Sequence, residues 1–113
     1  MTSFQQLEIC QRFNAPFTPP DSDSKLGVSR NVQSSIMPIN GLRHRATAGT
    51  SGWYVWRGED LPNDPDFFEP LHVSHIAEWI PEIEKFLGLP AGWRFLKAGE
   101  YEDVWFDETL LRA

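Results

Sequence analysis

His72 and His75 stand three residues apart, with Asp66 and Glu69 shortly before them, and this is the first place to look for chemistry. Imidazoles and carboxylates ligate metals, and zinc requires three or four such groups converging in a tetrahedron. Here the pair straddles an expected loop–helix boundary and the spacing marks no third ligand. Two histidines that satisfy local backbone groups are the simpler reading. Asp64 and Asp66 resemble the opening of a calcium loop, but the glycine and the distant bidentate glutamate are missing at the required offsets. Cys10 would need His44 or His72 to act as a nucleophile. On the apolar side of an amphipathic helix it reads instead as a small buried hydrophobe. Glu102–Asp103 and Asp107–Glu108 are adjacent carboxylates, yet neighbouring strand residues point to opposite faces, so Glu102 and Asp103 cannot work together as acid and base. There is no glycine-rich phosphate loop, nucleophile elbow or His-Glu-x-x-His motif. The expectation is no catalytic residue, no metal, no cofactor and no enzyme.

The aromatic and acidic residues are the remaining candidates, and they point to binding. The chain has 113 residues with 16 Asp/Glu against 10 Lys/Arg, a net charge of −6. Nucleic-acid binding is disfavoured, because phosphate contacts draw their affinity from Lys and Arg. The charge is uneven: residues 1–56 carry a net +2, and residues 57–113, with thirteen acidic and five basic side chains, carry −8. An acidic face can steer a basic partner. Glu59, Asp60, Asp64, Asp66 and Glu69 lie in an expected exposed loop and are the first candidates for partner contact, followed by Glu102 and Asp103. The five Trp residues divide between core and interface, with Trp53, Trp56, Trp93 and Trp105 expected mostly in the core.

These residues need a scaffold. Thr2 to Phe13 reads as a helix capped by Thr2 or Ser3, with Phe4, Leu7, Ile9, Cys10 and Phe13 on one face. Residues 14–24 hold three prolines and read as loop, with Phe17 tethering it to the core. Residues 25–39 allow one or two short strands, and Asn40-Gly41 is a tight-turn signal. Gly52 to Arg57 is the clearest strand, apolar on both faces and therefore central, covered by helix on one side and by a loop or partner on the other. Glu59 to Pro70 reads as an acidic loop. A second helix starts near Ser74, places Ile76, Ile80, Ile83 and Leu87 inward, is kinked or split at Pro81, and stops at Gly88. Gly92–Ala98 and Tyr101–Asp107 form an antiparallel pair. The fold expected is α+β, a small antiparallel sheet with two helices packed on one face, in one domain spanning 1–113.

The strings Asn-Gly-Leu-Arg-His (40–44), Gly-Trp-Tyr-Val-Trp (52–56), Asp-Pro-Asp-Phe-Phe (64–68), Pro-Leu-His-Val (70–73), Gly-Trp-Arg-Phe-Leu (92–96) and Tyr-Glu-Asp-Val-Trp-Phe-Asp (101–107) occur in order along the chain. Together they resemble the bacterial immunity-protein family numbered thirty-three among polymorphic-toxin immunity families, formerly a domain of unknown function. The resemblance implies a protein that binds and neutralises a cognate toxin encoded by a neighbouring gene, and it carries over no defined site residues. The alternative is an interaction or regulatory accessory module with a non-toxin partner. No apolar run reaches the ~18 residues that span a bilayer, and the amino-terminal stretch lacks the basic flank and long apolar core of a signal peptide. With Cys10 the only cysteine, the cytoplasm is the expected location.

Overall fold

Trp53 and Val55 turn to one side of their strand, Tyr54 and Trp56 to the other, and both sides are covered. The computed structural model of the chain describes residues 2–62, 64 and 66–112. It contains α1 (Thr2–Arg12), β1 (Lys25–Ser29), β2 (Ile39–Arg43), β3 (Thr50–Arg57) and β4 (Phe68–His72). A broken helical stretch follows: a 3-10 turn at Val73–His75, α2 (Ile76–Trp79) and a 3-10 helix at Pro81–Phe86. The hairpin of β5 (Trp93–Ala98) and β6 (Tyr101–Phe106) comes next, and a 3-10 turn at Glu108–Leu111 completes the order. The six strands form one sheet in the order β4-β1-β3-β2-β5-β6, with β3 interior.

The α+β class holds, with one change to its sheet. All neighbours run antiparallel except β1 and β3, which are parallel, so the sheet is mixed. β2 and β3 form an antiparallel pair, and β1 joins the other side of β3 in β3's own direction.

One face carries the main core. Leu26, Val28, Leu71, Trp53, Val55, Ile39 and Phe95 meet Ile9 and Cys10 of α1 and Ile76, Ile80, Ile83, Phe86 and Leu87 of the broken helical stretch. Phe86 stacks on Phe95 with ring centroids 4.5 Å apart. The stripe that α1 turns inward is Gln6, Ile9, Cys10 and Phe13, spaced as a helix face requires. Phe4 and Leu7 lie outside it and are exposed. Gln6 holds its inward place because its Nε2 donates to the Glu84 carbonyl at 2.9 Å. Ser3 falls within the helix and is not its cap, and the side chain of Thr2 lies outside the described residues.

Pro81 splits the second helical stretch and opens its 3-10 part, where its missing N–H costs nothing. Ser74 makes no cap; the α-helical turn begins after His75. Phe17 stays half in solvent, although its ring lies against the position of Gly88.

Asn40-Gly41 is not a turn. Both sit inside β2, buried between β3 and β5. Glycine is required there for close approach: a Cβ on Gly41 would lie 2.1 Å from the Phe95 ring. The turn is instead Gly99-Glu100 between β5 and β6, where Gly99 takes a φ of +62°.

A guanidinium with no carboxylate partner among the described residues ties these layers together. Arg43, at the end of β2, is buried and points into the helix side of the sheet. Its Nε donates to the Ser51 carbonyl at 3.0 Å, and its Nη1 to the carbonyls of Thr18 at 2.6 Å and Leu89 at 2.7 Å. The group also lies over the Trp53 ring, 5.7 Å from its centroid. Burial pulls its pKa down to about 10, which still leaves it charged at neutral pH.

Two stability predictions follow from this geometry. Gly41→Ala overpacks the Phe95 contact, which typically costs about 1–3 kcal/mol, so its urea midpoint should fall with an unchanged m-value; an unshifted midpoint would refute the contact. Arg43→Met leaves buried carbonyls without donors, at roughly 3 kcal/mol in total. Arg43→Lys should recover only part of that, because one ammonium cannot reproduce the planar fork.

Candidate functional site

The acidic loop leaves the sheet at the end where β3 finishes. Arg57, the last residue of β3, is buried and turns towards the helix side, where its Nε donates to the Val32 carbonyl at 2.6 Å and its Nη1 to the Ile36 carbonyl at 3.1 Å. Its Nη2 lies 3.8 Å from Glu82. Gly58 then donates its N–H to the Pro38 carbonyl at 2.8 Å, and its own carbonyl accepts from Asn40 Nδ2 at 2.9 Å. The 30–38 connection and the start of the acidic loop are thereby fastened side by side.

The outward side chains of this fastened region are apolar and acidic. Ile36 and Met37 are 49% and 47% exposed there, while Leu61, 48% exposed, lies over the second face beside Leu42, His44, Tyr54 and Phe68. Glu59 and Asp60, directly after Gly58, are exposed. Asp64 and Asp66 are exposed further along, and Asp64 Oδ1 accepts the Asp66 N–H at 2.9 Å. Arg30, Asn31, Asp64, Asp66 and Phe67 surround a shallow depression of 460 Å³. Asn63 and Pro65, within the same expected loop, lie outside the described residues. Exposed apolar side chains on a braced backbone, with the exposed Glu59 following at Gly58, are a suitable arrangement for protein contact, since little ordering entropy remains to be lost.

The other candidates are placed differently. Glu69 is not in the loop but on β4, opposite Val28, and lies 3.6 Å from Arg30. The loop ends earlier than expected because Phe68, Glu69 and Pro70 add an edge strand to β1, and an edge tolerates proline. Glu102 and Asp103 point to opposite faces. Glu102 is half-buried between Lys85 Nζ at 2.6 Å and Lys97 Nζ at 3.0 Å. Burial pushes its carboxyl pKa up, and the hydrogen bonds from the two lysines more than reverse this, leaving it below its ordinary value of 4.5. Asp103 is exposed on β6.

The remaining chemistry-bearing residues do not converge. His72 and His75 rings are 5.9 Å apart, both exposed, and no group of three or more His, Cys, Asp or Glu side chains able to hold a metal occurs among the described residues. Cys10 is buried, its Sγ donating to the Gly88 carbonyl at 3.3 Å, and burial raises its pKa. Ile36 and Met37 were not among the sequence candidates. The available signal was an apolar pair beside proline that fits neither strand nor helix periodicity.

The second face of the sheet is only partly covered. Leu42 and Trp56 are buried there beneath Leu110 of the last 3-10 turn, with Tyr54, Phe67 and Phe68 packed around them. A small cleft of 180 Å³ remains between Leu42, His44, Tyr54, Leu61 and Phe68. The predicted covering of the central strand by helix on one side and loop on the other is therefore what the fold contains.

This is an α+β domain whose distinctive features are surface contacts and braced loops. The family model of the Imm33-like domain matches residues 5–107, and the chain belongs to that family. Comparisons with curated proteins and with solved structures give no match. The family name points to an immunity protein, and immunity-like families are generally non-enzymatic. No described helix is long and apolar enough to cross a membrane.

Glu102 has a pH signature. Its folded pKa is lowered, so its contribution to stability is present above about 4.5 and is lost as pH falls through the folded value. Glu102→Gln should be less stable than the parent at neutral pH, and the two thermal-melt curves should converge in acid. Parallel curves would rule out the paired carboxylate.

Proposed function

We propose that this protein is an immunity protein that binds and neutralises a cognate toxin encoded by a neighbouring gene. The observation that carries this reading is membership of the Imm33-like family across residues 5–107. The exposed carboxylates Glu59, Asp60, Asp64 and Asp66, together with the exposed Ile36 and Met37, support a contact surface at this end of the sheet. Asp103 and Glu69 are secondary contacts. Glu102 acts mainly inside the fold, through Lys85 and Lys97.

Such a surface suits a toxin domain that is basic around an apolar pocket, as a domain acting on nucleic acid would be. Carboxylates steer such a partner and raise the association rate more than the final affinity. The apolar side chains, desolvated on docking, supply the slow dissociation. Neutralisation is by occupation, with no bond made or broken, and takes place in the cytoplasm without cofactor, nucleic acid or membrane.

Co-expression with the product of the adjacent reading frame is the test. Rescue of growth and a co-purifying complex are expected. A harmless neighbour, or one that stays toxic with no complex, would overturn the reading. In the complex, Glu59→Lys with Asp60→Lys should slow association by about tenfold at low salt and less at high salt. Ile36→Asp should instead speed dissociation, read by the same kinetic binding measurement.

A further inference from the structure

We infer that β6 is a self-pairing edge through which two copies of this chain join their sheets. The two edges of the sheet are built differently. β4 is short and carries Pro70, which lacks a donor and blunts that edge. β6 runs six residues, Tyr101–Phe106, in unbroken register with β5, and contains neither proline nor bulge. Among the described residues nothing pairs with its outer side. Two aromatics on it are open to solvent, Tyr101 at 62% and Phe106 at 49% exposure.

The backbone of β6 determines which groups are free. Asp107 N–H donates to the Gly92 carbonyl at 2.7 Å, and inward and outward hydrogen bonding alternates along an antiparallel strand. Tyr101, Asp103 and Trp105 therefore bond towards β5. Glu102, Val104 and Phe106 present their N–H and C=O groups outward, as three donor–acceptor sets with no strand to receive them.

A second copy fits these groups in one register that uses the length of the strand. A twofold axis at Val104 pairs Val104 with itself, Glu102 with Phe106 of the second copy, and Asp103 with Trp105 of the second copy. Outward groups meet outward groups, the two helix-covered faces stay on the same side, and within β6 no carboxylate opposes another. The neighbouring registers fail on charge. An axis at Glu102 or Asp103 sets a carboxylate against itself, and an axis at Trp105 sets Asp103 against Asp107 of the second copy. Like charges directly opposite are destabilising. The carboxylates thus select a register as well as discouraging slippage. The pairing surface is separate from Ile36 and the acidic loop's first residues and shares only Asp103 with the proposed toxin contacts, so it does not depend on the proposed function.

Sedimentation velocity on the full chain, from micromolar to near-millimolar concentration, tests this. A species of twice 13.0 kDa is expected to grow with concentration, and added salt should favour it by screening two chains of net charge −6. Val104→Pro removes an outward N–H that β5 does not use, and should abolish the dimer while circular dichroism stays unchanged. A charge pair guards against misfolding of that variant: Phe106→Glu and Phe106→Lys lose the same ring but meet Glu102 of the second copy with opposite sign. The Glu variant should be monomeric and the Lys variant should still dimerise. A 13.0 kDa monomer at every concentration, or a dimer equally strong in both Phe106 variants, would overturn the inference.

Discussion

The fold turns on a buried positive charge that has no carboxylate partner among the described residues. Removing a guanidinium from water is costly, and the cost is offset here by neutral carbonyls and an aromatic face. Arg43 gathers the carbonyls of Ser51, Thr18 and Leu89, which belong to β3, the proline-rich loop and the connection after Phe86. Three segments distant in sequence thus end on one side chain. The Thr18 and Leu89 carbonyls lie in irregular backbone, where neither helix nor ladder supplies a donor. Arg57 also gathers carbonyls at the other end of the sheet, those of Val32 and Ile36, and adds a carboxylate partner in Glu82. The two arginines let loops approach a dry core, and this connects the core to the surface: Ile36 and Met37 are displayed on backbone that Arg57 holds.

The two faces of the sheet divide the work. The helix-covered face buries a continuous apolar layer from Leu71 across to Phe95. The second face is covered by a smaller cluster around Trp56 and Leu42, closed by a single turn through Leu110. Stability is concentrated on the first face. The ends, the loops and the β6 edge are therefore free to carry contacts whose side chains the core does not need.

Much of the scaffold was legible before any coordinates. The Trp-Tyr-Val-Trp strand declared itself central because no face of it could be left wet. Ile76, Ile80 and Ile83 were read as inward and are fully buried, and Pro81 was read as a break. What misled was local chemistry with two meanings. Asn40-Gly41 suits a tight turn, but the same missing side chain serves a strand on which Phe95 lies. Phe4 and Leu7 look like core on composition alone, yet the stripe at 6, 9, 10 and 13 won because its polar member had a carbonyl waiting. In the candidate site, the acidic run and its exposure were legible. Ile36 and Met37 were not, since only the loop's attachment to Arg57 and Gly58 brings them beside Glu59.

Composition and periodicity by themselves determined the class of fold, the central strand, the inward isoleucines, the acidic carboxyl-terminal half and the absence of a catalytic motif. These follow from side-chain polarity and backbone preference, which act over a few residues at a time. Only the tertiary structure decided that β1 runs parallel to β3, that Glu102 is held between two lysines while Asp103 faces water, and that Arg43 and Arg57 serve carbonyls. Those outcomes rest on contacts between segments tens of residues apart, where desolvation and the cost of leaving buried polar groups unpaired select one packing from many that local preference would allow.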